Sequence, residues 1–328
     1  MKIRKLYELK KFHELKKMKN FNFIDFCVPI IDYLCPIKYS PNGKYDNRYF
    51  ITCLIDFIET STSWRKYKGT ILYPIDGKYL NQIHNKYLKC GVYDEINKQL
   101  VEKYLRTDKE NKLKYQSIDS SYIQNKQGTI NNNYLLSTKE KQKNKEILRN
   151  NKDLPKNQRK KLINYIDFYR YNGRKKYFKI SIICDSYGVP LQISLSSGRG
   201  HDVTTLIDNV NNLPTCLNTL RNSKVNRYKQ YLLADSAYLS LKNKLFLKEK
   251  GYISLIAYNK KNTKNKEIIK KNKFNVTEEN IYKKRNIVER SFSWIKNKSV
   301  ININHQKKIE SYTGLLKLAC SIITSKRI

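Results

Sequence analysis

Residues 177–195, YFKISIICDSYGVPLQISL, indicate the fold of this 328-residue chain most directly. The first nine are rich in β-branched and aromatic side chains, which is typical of a buried strand. Ser186, Tyr187 and Gly188 supply a turn, and residues 189–195 return as a second strand. The stretch therefore predicts a β-hairpin.

Further strands and helices alternate on both sides of this hairpin. Short apolar runs predict strands at 115–123, 231–233 and 252–257, and amphipathic patterns predict helices at about 203–220 and 240–250. Gly251 follows the second helix at the position where glycine commonly ends one. The alternation predicts an α/β fold with a mixed sheet covered by helices.

The N-terminal third has a different, helical character. Residues 1–20 fit either a short amphipathic helix or a frayed basic arm, and helical patterns follow at 49–59 and at 79–104, where Gly91 interrupts the second. Helices joined by a polar turn suit a helix-turn-helix DNA-binding unit, but they equally suit any helical subdomain. We therefore divide the chain into an N-terminal helical, DNA-binding region at 1–110 and an α/β domain at 111–328.

A polar insertion at about 124–176 interrupts the α/β domain. It is rich in Asn and Lys and carries the basic run Arg159-Lys160-Lys161. A DNA-contacting loop and compositional drift in an AT-rich gene both account for it.

The charge balance is strongly basic. Sixty-six basic and 28 acidic residues give a formal charge of +38, which attracts phosphate polyanions and indicates nucleic-acid binding. An AT-rich coding bias explains abundant Lys and Asn but not the scarcity of acids. Apolar runs long enough to span a membrane are absent, so we expect no membrane partner. Seven scattered cysteines predict free thiols in a reducing, intracellular compartment without structural zinc.

Four residues near the C-terminus fall on one predicted helix, at about 278–296. Tyr282, Arg285, Glu289 and Lys296 are separated by three, four and seven residues, which places them on a single helical face. A Glu among a Tyr and two cations suits a carboxylate held near a polyanion. An ordinary amphipathic helix with a solvated charged face is the alternative. We call these four the signature residues.

Three carboxylates stand out in a chain that otherwise avoids acids. Asp119 lies on a predicted strand, Asp235 at the end of another, and Glu289 on the helix. Clustered carboxylates repel one another unless a cation neutralises them, and Mg²⁺ prefers such oxygen ligands. Two metals roughly 3.5–4 Å apart would serve phosphodiester chemistry. Each Asp taken alone is more often a cap or a surface charge.

Several motifs in a fixed order resemble one known family. The chain is similar to insertion-sequence transposases of the DDE class, in the group marked by a Tyr-Arg-Glu-Lys signature. The matching stretches are Ser117-Ile118-Asp119-Ser120-Ser121, Asp185-Ser186-Tyr187-Gly188-Val189-Pro190-Leu191, Gly198-Arg199-Gly200-His201-Asp202, Ala234-Asp235-Ser236-Ala237-Tyr238 and Arg285-Asn286-Ile287-Val288-Glu289-Arg290-Ser291-Phe292.

The resemblance implies an RNase H-like mixed five-stranded sheet and a metal triad of Asp119, Asp235 and Glu289 with two Mg²⁺ or Mn²⁺ ions. It implies cleavage at the ends of a mobile element and joining of 3′-hydroxyls to target DNA. The expected partners are terminal inverted repeats, target DNA and a second copy of the chain on paired ends. The expected location is intracellular with DNA, either in a prokaryotic cytoplasm or nucleoid or in a eukaryotic nucleus or viral factory.

The resemblance also implies roles for residues around the triad. Tyr282, Arg285 and Lys296 are expected to grip DNA phosphates, with Arg290 as a further DNA contact. His201 and Asp202 either support the site from a second layer or are a capping Asp beside an ordinary His. These two readings stay open. The fold class alone also allows an RNase H-like nuclease without strand transfer, or an inactive transposase-derived DNA-binding protein.

We expect the two tryptophans to pack in the core rather than to contact DNA. Trp64 belongs to a short motif in the N-terminal region, where Arg65 is a weak DNA-contact candidate, and Trp294 flanks the signature face.

Overall fold

A mixed sheet with helices on both faces forms the framework of the protein in this computed structural model. The structure describes residues 21–37, 45–60, 63–126, 146–147, 149–154, 169–171, 175–196, 198, 200–214, 229–258, 267, 273–306 and 308–328. Residues 1–20, most of the polar insertion and the run Arg159-Lys160-Lys161 lie outside these ranges.

The strands are β1 (Tyr115–Asn125), β2 (Tyr169–Tyr171), β3 (Lys175–Cys184), β4 (Pro190–Ser196), β5 (Gln230–Ala234), β6 (Tyr252–Ile256) and β7 (Ile303–Asn304). The helices are α1 (Phe21–Leu34), α2 (Asn47–Thr60), α3 (Gly77–Lys89), α4 (Val92–Leu105), α5 (Lys109–Lys114), α6 (Thr205–Asn211), α7 (Leu241–Glu249), α8 (Val276–Tyr282), α9 (Ile287–Lys296), α10 (Ser299–Asn302) and α11 (Ile309–Ser325). Short 3₁₀ turns occur at Asp202–Thr204, Ser236–Tyr238 and Lys283–Asn286.

Five strands form the main path of the sheet, in the order β4–β3–β1–β5–β6. Strand β3 runs antiparallel to both β4 and β1, whereas β1, β5 and β6 are parallel to one another. The short β2 also pairs with β3, and the short β7 pairs with β1. This arrangement confirms the mixed sheet flanked by helices that an RNase H-like α/β fold requires, and β1 is its central strand.

The predicted hairpin is the antiparallel pair of β3 and β4. Its turn contains Gly188 at a φ of +84°, a conformation that side chains with a Cβ rarely adopt. The buried Asp185 carboxylate accepts hydrogen bonds from the backbone N–H groups of Tyr187 and Val189 and from the hydroxyl of Tyr104. These bonds fix the turn where the sequence predicts it.

Each face of the sheet covers its own hydrophobic core because successive strand residues point to opposite sides. Ile180 and Ile182 of β3 belong to the core shared with α2, α9 and α11. Ile183 belongs to the other core, which α6 and α7 cover. The central strand is thus packed on both sides.

The N-terminal helices pack into the first of these cores together with α11. Gly91, at a φ of +70°, separates α3 from α4, as the sequence predicts. Trp64 stacks on Phe57 with ring centroids 3.9 Å apart, which agrees with its assignment to packing. DNA binding by residues 1–110, and their boundary with residues 111–328, stay predictions.

Two helix predictions were wrong in extent. The run expected to be one helix at 278–296 is α8 and α9, separated by the 3₁₀ turn Lys283–Asn286. The helix expected at 203–220 is α6, which ends at Asn211, and residues 215–220 lie outside the described ranges. The break between α8 and α9 coincides with long-range contacts of Tyr282 and Arg285, which a local pattern does not contain.

The described cysteines are all free thiols: Cys27, Cys35, Cys53, Cys90, Cys184 and Cys320. Burial raises the pKa of Cys184 to about 12 and also raises that of the buried Cys27, so these thiols stay protonated and unreactive. Among the described helices, none is long and apolar enough to cross a membrane.

A buried polar network joins the N-terminal helices to α11. The ring of His84 lies 2.6 Å from the Tyr93 hydroxyl through Nδ1 and 3.0 Å from Ser311 Oγ through Nε2. The Ser311 hydroxyl donates to Gln306 Oε1, which also accepts from Trp64 Nε1. A neutral imidazole satisfies both of its contacts, since one nitrogen donates and the other accepts.

Burial lowers the pKa of His84 from 6.5 to about 3. In the unfolded chain His84 therefore binds a proton below pH 6.5, whereas in the folded chain it binds one only near pH 3. Stability from this residue is complete above pH 6.5 and falls as the pH drops, by about 1.4 kcal/mol per pH unit in this window. We expect His84→Gln, which has no proton to bind, to lose that slope. Urea unfolding of both proteins from pH 7 to pH 4 measures it, and equal slopes would contradict the assignment.

Candidate active site

Asp119 lies on β1, and Asp235 directly follows the neighbouring parallel strand β5. Ile118 of β1 pairs with Ala234 of β5, so the next residue on each chain is an aspartate. Neighbouring strands lie about 4.8 Å apart, and residues in register point to the same face. Asp119 Oδ1 accepts the N–H of Ser120 at 2.7 Å, and Asp235 Oδ1 accepts the N–H of Ser236 at 2.6 Å. The sheet therefore brings two of the three predicted carboxylates together.

Two signature cations contact the same face of β1. Asp119 and Ser121 are two residues apart and point to one side of the strand. Arg285 Nη1 donates to Asp119 Oδ2 at 3.0 Å, and Lys296 Nζ donates to Ser121 Oγ at 2.6 Å. The Arg285 and Asp119 side chains are 17% and 27% exposed. The 3₁₀ turn and α9 thus hold both positive charges over the central strand.

Tyr282 completes this arrangement at the end of β5. Its hydroxyl donates to the carbonyl oxygen of Ala234 at 3.3 Å, one residue before Asp235. The guanidinium of Arg285 lies 6.0 Å from the centroid of its ring. Burial raises the pKa of Tyr282, so the phenol stays protonated and can donate. Three signature residues therefore meet the strand positions that carry the two aspartates.

The electrostatics of the pair favour a cation. Burial raises the pKa of the Asp119 carboxyl, and the nearby Asp235 raises it further, whereas the Ser120 N–H and Arg285 lower it. Two carboxylates this close repel one another unless positive charge lies between them. Arg285 supplies part of that charge in this structure.

Glu289 is exposed in the first turn of α9. Seven residues are close to two helical turns, so Glu289 lies on the side of α9 that carries Lys296, about 10 Å earlier along the axis. In the described part of the chain, no three His, Cys, Asp or Glu side chains are close enough to hold a metal ion. The meeting of all three carboxylates stays a prediction, and so does the DNA contact by the exposed Arg290.

Asp202 contacts β1 on the face opposite to the Asp119 side chain. Its Oδ1 accepts the hydroxyl of Ser120 at 2.7 Å and the ammonium of Lys179 at 3.0 Å. Ser120 directly follows Asp119, so this bond fixes the backbone behind the carboxylate. The side chain of His201 is exposed, and its carbonyl oxygen accepts the Thr204 hydroxyl. Asp202 therefore contacts a residue of the site, whereas the contact of His201 is made by its backbone and not by its imidazole.

Sequence reasoning did not single out three residues behind the aspartates. Ser120 and Tyr238 lie inside the quoted motifs but were given no role. Lys179 had a visible signal, since it is a charged side chain within an otherwise apolar strand. It donates to the carbonyl oxygen of Gly200 as well as to Asp202. Burial raises the pKa of Tyr238, and the negative charge of Asp202 raises it further.

The donor set fits a hard divalent cation. Adjacent aspartate oxygens are the ligands that Mg²⁺ and Mn²⁺ prefer. Asp235 Oδ2 has no hydrogen-bond partner among the described residues. Asp119 Oδ2 is occupied by Arg285, so a cation at this oxygen would replace the guanidinium.

Comparison with known proteins points to one family. A family model described as "Transposase DDE domain" matches residues 152–322, just over half of the chain. The match includes Asp235 and Glu289 and begins after Asp119. A search of curated proteins finds no significant match.

Two solved structures show a distant likeness. One is described as the Mos1 transposase paired-end complex with left transposon end; it is 12% identical, with 78% of this chain and 79% of that chain covered and a TM-score of 0.25. The other, the Mos1 mariner paired-end complex with Mn, is 12% identical, with 86% and 84% covered and a TM-score of 0.25. A TM-score of 0.25 does not establish a shared fold.

The contact between Arg285 and Asp119 predicts a measurable coupling. Because both side chains are partly buried, we expect a double-mutant cycle with Arg285→Ala and Asp119→Ala to give about 1–2 kcal/mol in urea unfolding. The more exposed pair of Arg48 and Asp25, 46% and 42% exposed, is the matched control and should couple more weakly. Equal coupling in the two cycles would show that burial does not strengthen the contact.

Proposed function

The chain belongs to the transposase DDE domain family, and we propose that Asp119, Asp235 and Glu289 carry its DNA cleavage and strand-transfer chemistry. The supporting observation is the adjacent placement of Asp119 and Asp235 on parallel strands, beneath Tyr282 and Arg285. A carboxylate pair beside cations is suited to gathering metal ions and a phosphodiester at one point.

Each acid has a distinct position in the proposal. Asp119 and Asp235 supply oxygens from the sheet, and Glu289 supplies its carboxylate from the first turn of α9. Together they would hold two Mg²⁺ or Mn²⁺ ions, which when bound would activate the attacking oxygen and stabilise the leaving oxygen of a phosphodiester. Asp202 keeps Asp119 in place by holding the Ser120 hydroxyl behind it.

The signature cations handle the phosphates. Arg285 presents a planar fork of donors that matches two phosphate oxygens, and Lys296 supplies a point charge. An arriving phosphate takes over the Arg285 donor that Asp119 accepts in this structure. The exchange places a positive charge on the substrate and frees Asp119 Oδ2 at the same time. Tyr282 adds a neutral hydroxyl donor, and Arg290 adds an exposed charge farther along α9.

The four signature residues support the assignment of the chain to one group within the transposases. We assign the chain to the insertion-sequence group marked by Tyr, Arg, Glu and Lys, acting on terminal inverted repeats and on target DNA. Two copies would hold the paired ends of one element. The protein would act where its DNA resides, inside the cell.

Removal of one strand carboxylate tests the chemistry. We expect Asp119→Asn to lower metal-dependent nicking of supercoiled DNA by more than about 100-fold, because losing a ligand costs more than losing its outer support. DNA binding should persist. Asp208→Asn, an exposed aspartate on α6, is the control and should nick like the unmodified protein. Nicking that survives Asp119→Asn would remove the mechanism.

The helix carboxylate needs its own test because it is exposed in the DNA-free structure. We expect Glu289→Gln to abolish nicking, whereas Glu279→Gln, an exposed acid on α8, should leave it unchanged. Both changes remove one negative charge without altering side-chain shape. Full nicking by Glu289→Gln would exclude it from the triad. Joining of a labelled 3′-hydroxyl end to plasmid in the same assay separates a transposase from a nuclease that only cuts.

A further inference from the structure

A basic cavity of about 470 Å³ opens at the beginning of β1, away from the two aspartates. Lys114, Lys283 and Lys284 border it, together with Tyr115 and Tyr187. The lysines come from two separate parts of the chain, the end of α5 and the 3₁₀ turn before α9. No step of the proposed chemistry uses them.

Tyr115 lines the cavity, and its backbone and ring are held in place by several contacts. The Ser186 hydroxyl lies 3.1 Å from the Tyr115 backbone nitrogen and 3.2 Å from its carbonyl oxygen. The ring stacks on Tyr231 with centroids 5.7 Å apart. The ammonium of Lys284 lies 4.0 Å above its centroid and that of Lys114 lies 5.6 Å from it. These contacts give the Tyr115 ring and the two ammonium groups beside it defined positions.

Three like charges around one cavity repel one another, and an anion would relieve that repulsion. The described residues bordering the cavity include no carboxylate. The nearby Asp108 accepts hydrogen bonds from the Asn111 amide and, at 3.5 Å, from the Tyr187 hydroxyl. The cavity therefore offers positive charge that these described neighbours do not neutralise.

The 3₁₀ turn links this cavity to the active site. Lys283 and Lys284 border the cavity, and the next residue, Arg285, contacts Asp119. Along β1, Tyr115 and Asp119 are four residues apart, which is about 13 Å of extended strand. We propose that the cavity binds a backbone phosphate of the same DNA strand that is cut at Asp119 and Asp235, a few nucleotides from the cut. This inference rests on the proposed function.

DNA is the favoured source of the phosphate. The chain carries a formal charge of +38, so its surface attracts a long polyanion more strongly than a single small ion. Tyr187 is 47% exposed at the rim and presents a ring against which a sugar or base can pack. Free inorganic phosphate shares the chemistry, and the experiment separates the two.

Cross-linking tests where the DNA lies. A photo-reactive phenylalanine analogue at position 187 should cross-link a labelled duplex at least about fivefold more than one at position 245, since Leu245 is also exposed but lies on α7. Adding Lys283→Ala and Lys284→Ala should remove that excess. Equal yields at the two positions, or an excess that survives loss of both lysines, would overturn the proposal.

The salt dependence of binding tests the charge. For the unmodified protein and the double lysine variant, log K for the duplex is measured against log salt. Losing the contact with one phosphate should reduce the slope by about 0.9, whereas Lys248→Ala on α7 should change it little. An unchanged slope in a variant that has lost binding of inorganic phosphate would assign the cavity to the free ion and overturn the DNA proposal.

Both measurements are made without cleavage. If nicking survives Asp119→Asn while cross-linking at 187 depends on the lysines, the proposed chemistry fails and DNA binding at the cavity holds. If instead Asp119→Asn abolishes nicking while cross-linking at position 187 does not depend on the lysines, the proposed chemistry holds and DNA binding at the cavity is rejected.

Discussion

The structure depends on the alternation of side chains along β1. The strand lies centrally in the sheet, with a core on each face, so every residue is committed to one side or the other. Asp119 and Ser121 face α9, where Arg285 and Lys296 contact them. Ser120 faces the other core and is held by Asp202. A shift of the strand by one residue would exchange these two sets and remove the site entirely, so the pairing of β1 with its neighbours is as much a part of the chemistry as the acids.

Arg285 has a double character in this arrangement. In the DNA-free structure its guanidinium contacts Asp119, whose charged form burial opposes, and so supplies positive charge beside the pair of carboxylates. The same guanidinium has the shape to bind a phosphate. In the proposed reaction the guanidinium would exchange its contact with Asp119 for one with a phosphate, and its charge would be compensated in both states.

Local chemistry was sufficient to predict much of the fold. The β3–β4 hairpin and the division at Gly91 follow from strand composition and from glycines with positive φ. The break at Lys283–Asn286 could not be predicted, because the run contains no Gly or Pro and its helical pattern is continuous. That break is associated with long-range contacts of Tyr282 with Ala234 and of Arg285 with Asp119. The predicted strands indicated that Asp119 and Asp235 lie close together. The sequence left open whether Asp202 supports Asp119 from the opposite face of β1, and the bond between Asp202 and Ser120 shows this contact.

The 3₁₀ turn between α8 and α9 also limits how this chain can change during evolution. One added or deleted residue there would rotate α9 by about 100° relative to Tyr282. Either Lys296 would then leave Ser121 or Arg285 would leave Asp119. The number of residues in the turn is consequently fixed by the contacts of Arg285 and Lys296 with β1. A variant of this protein that keeps both contacts must therefore keep the length of the turn.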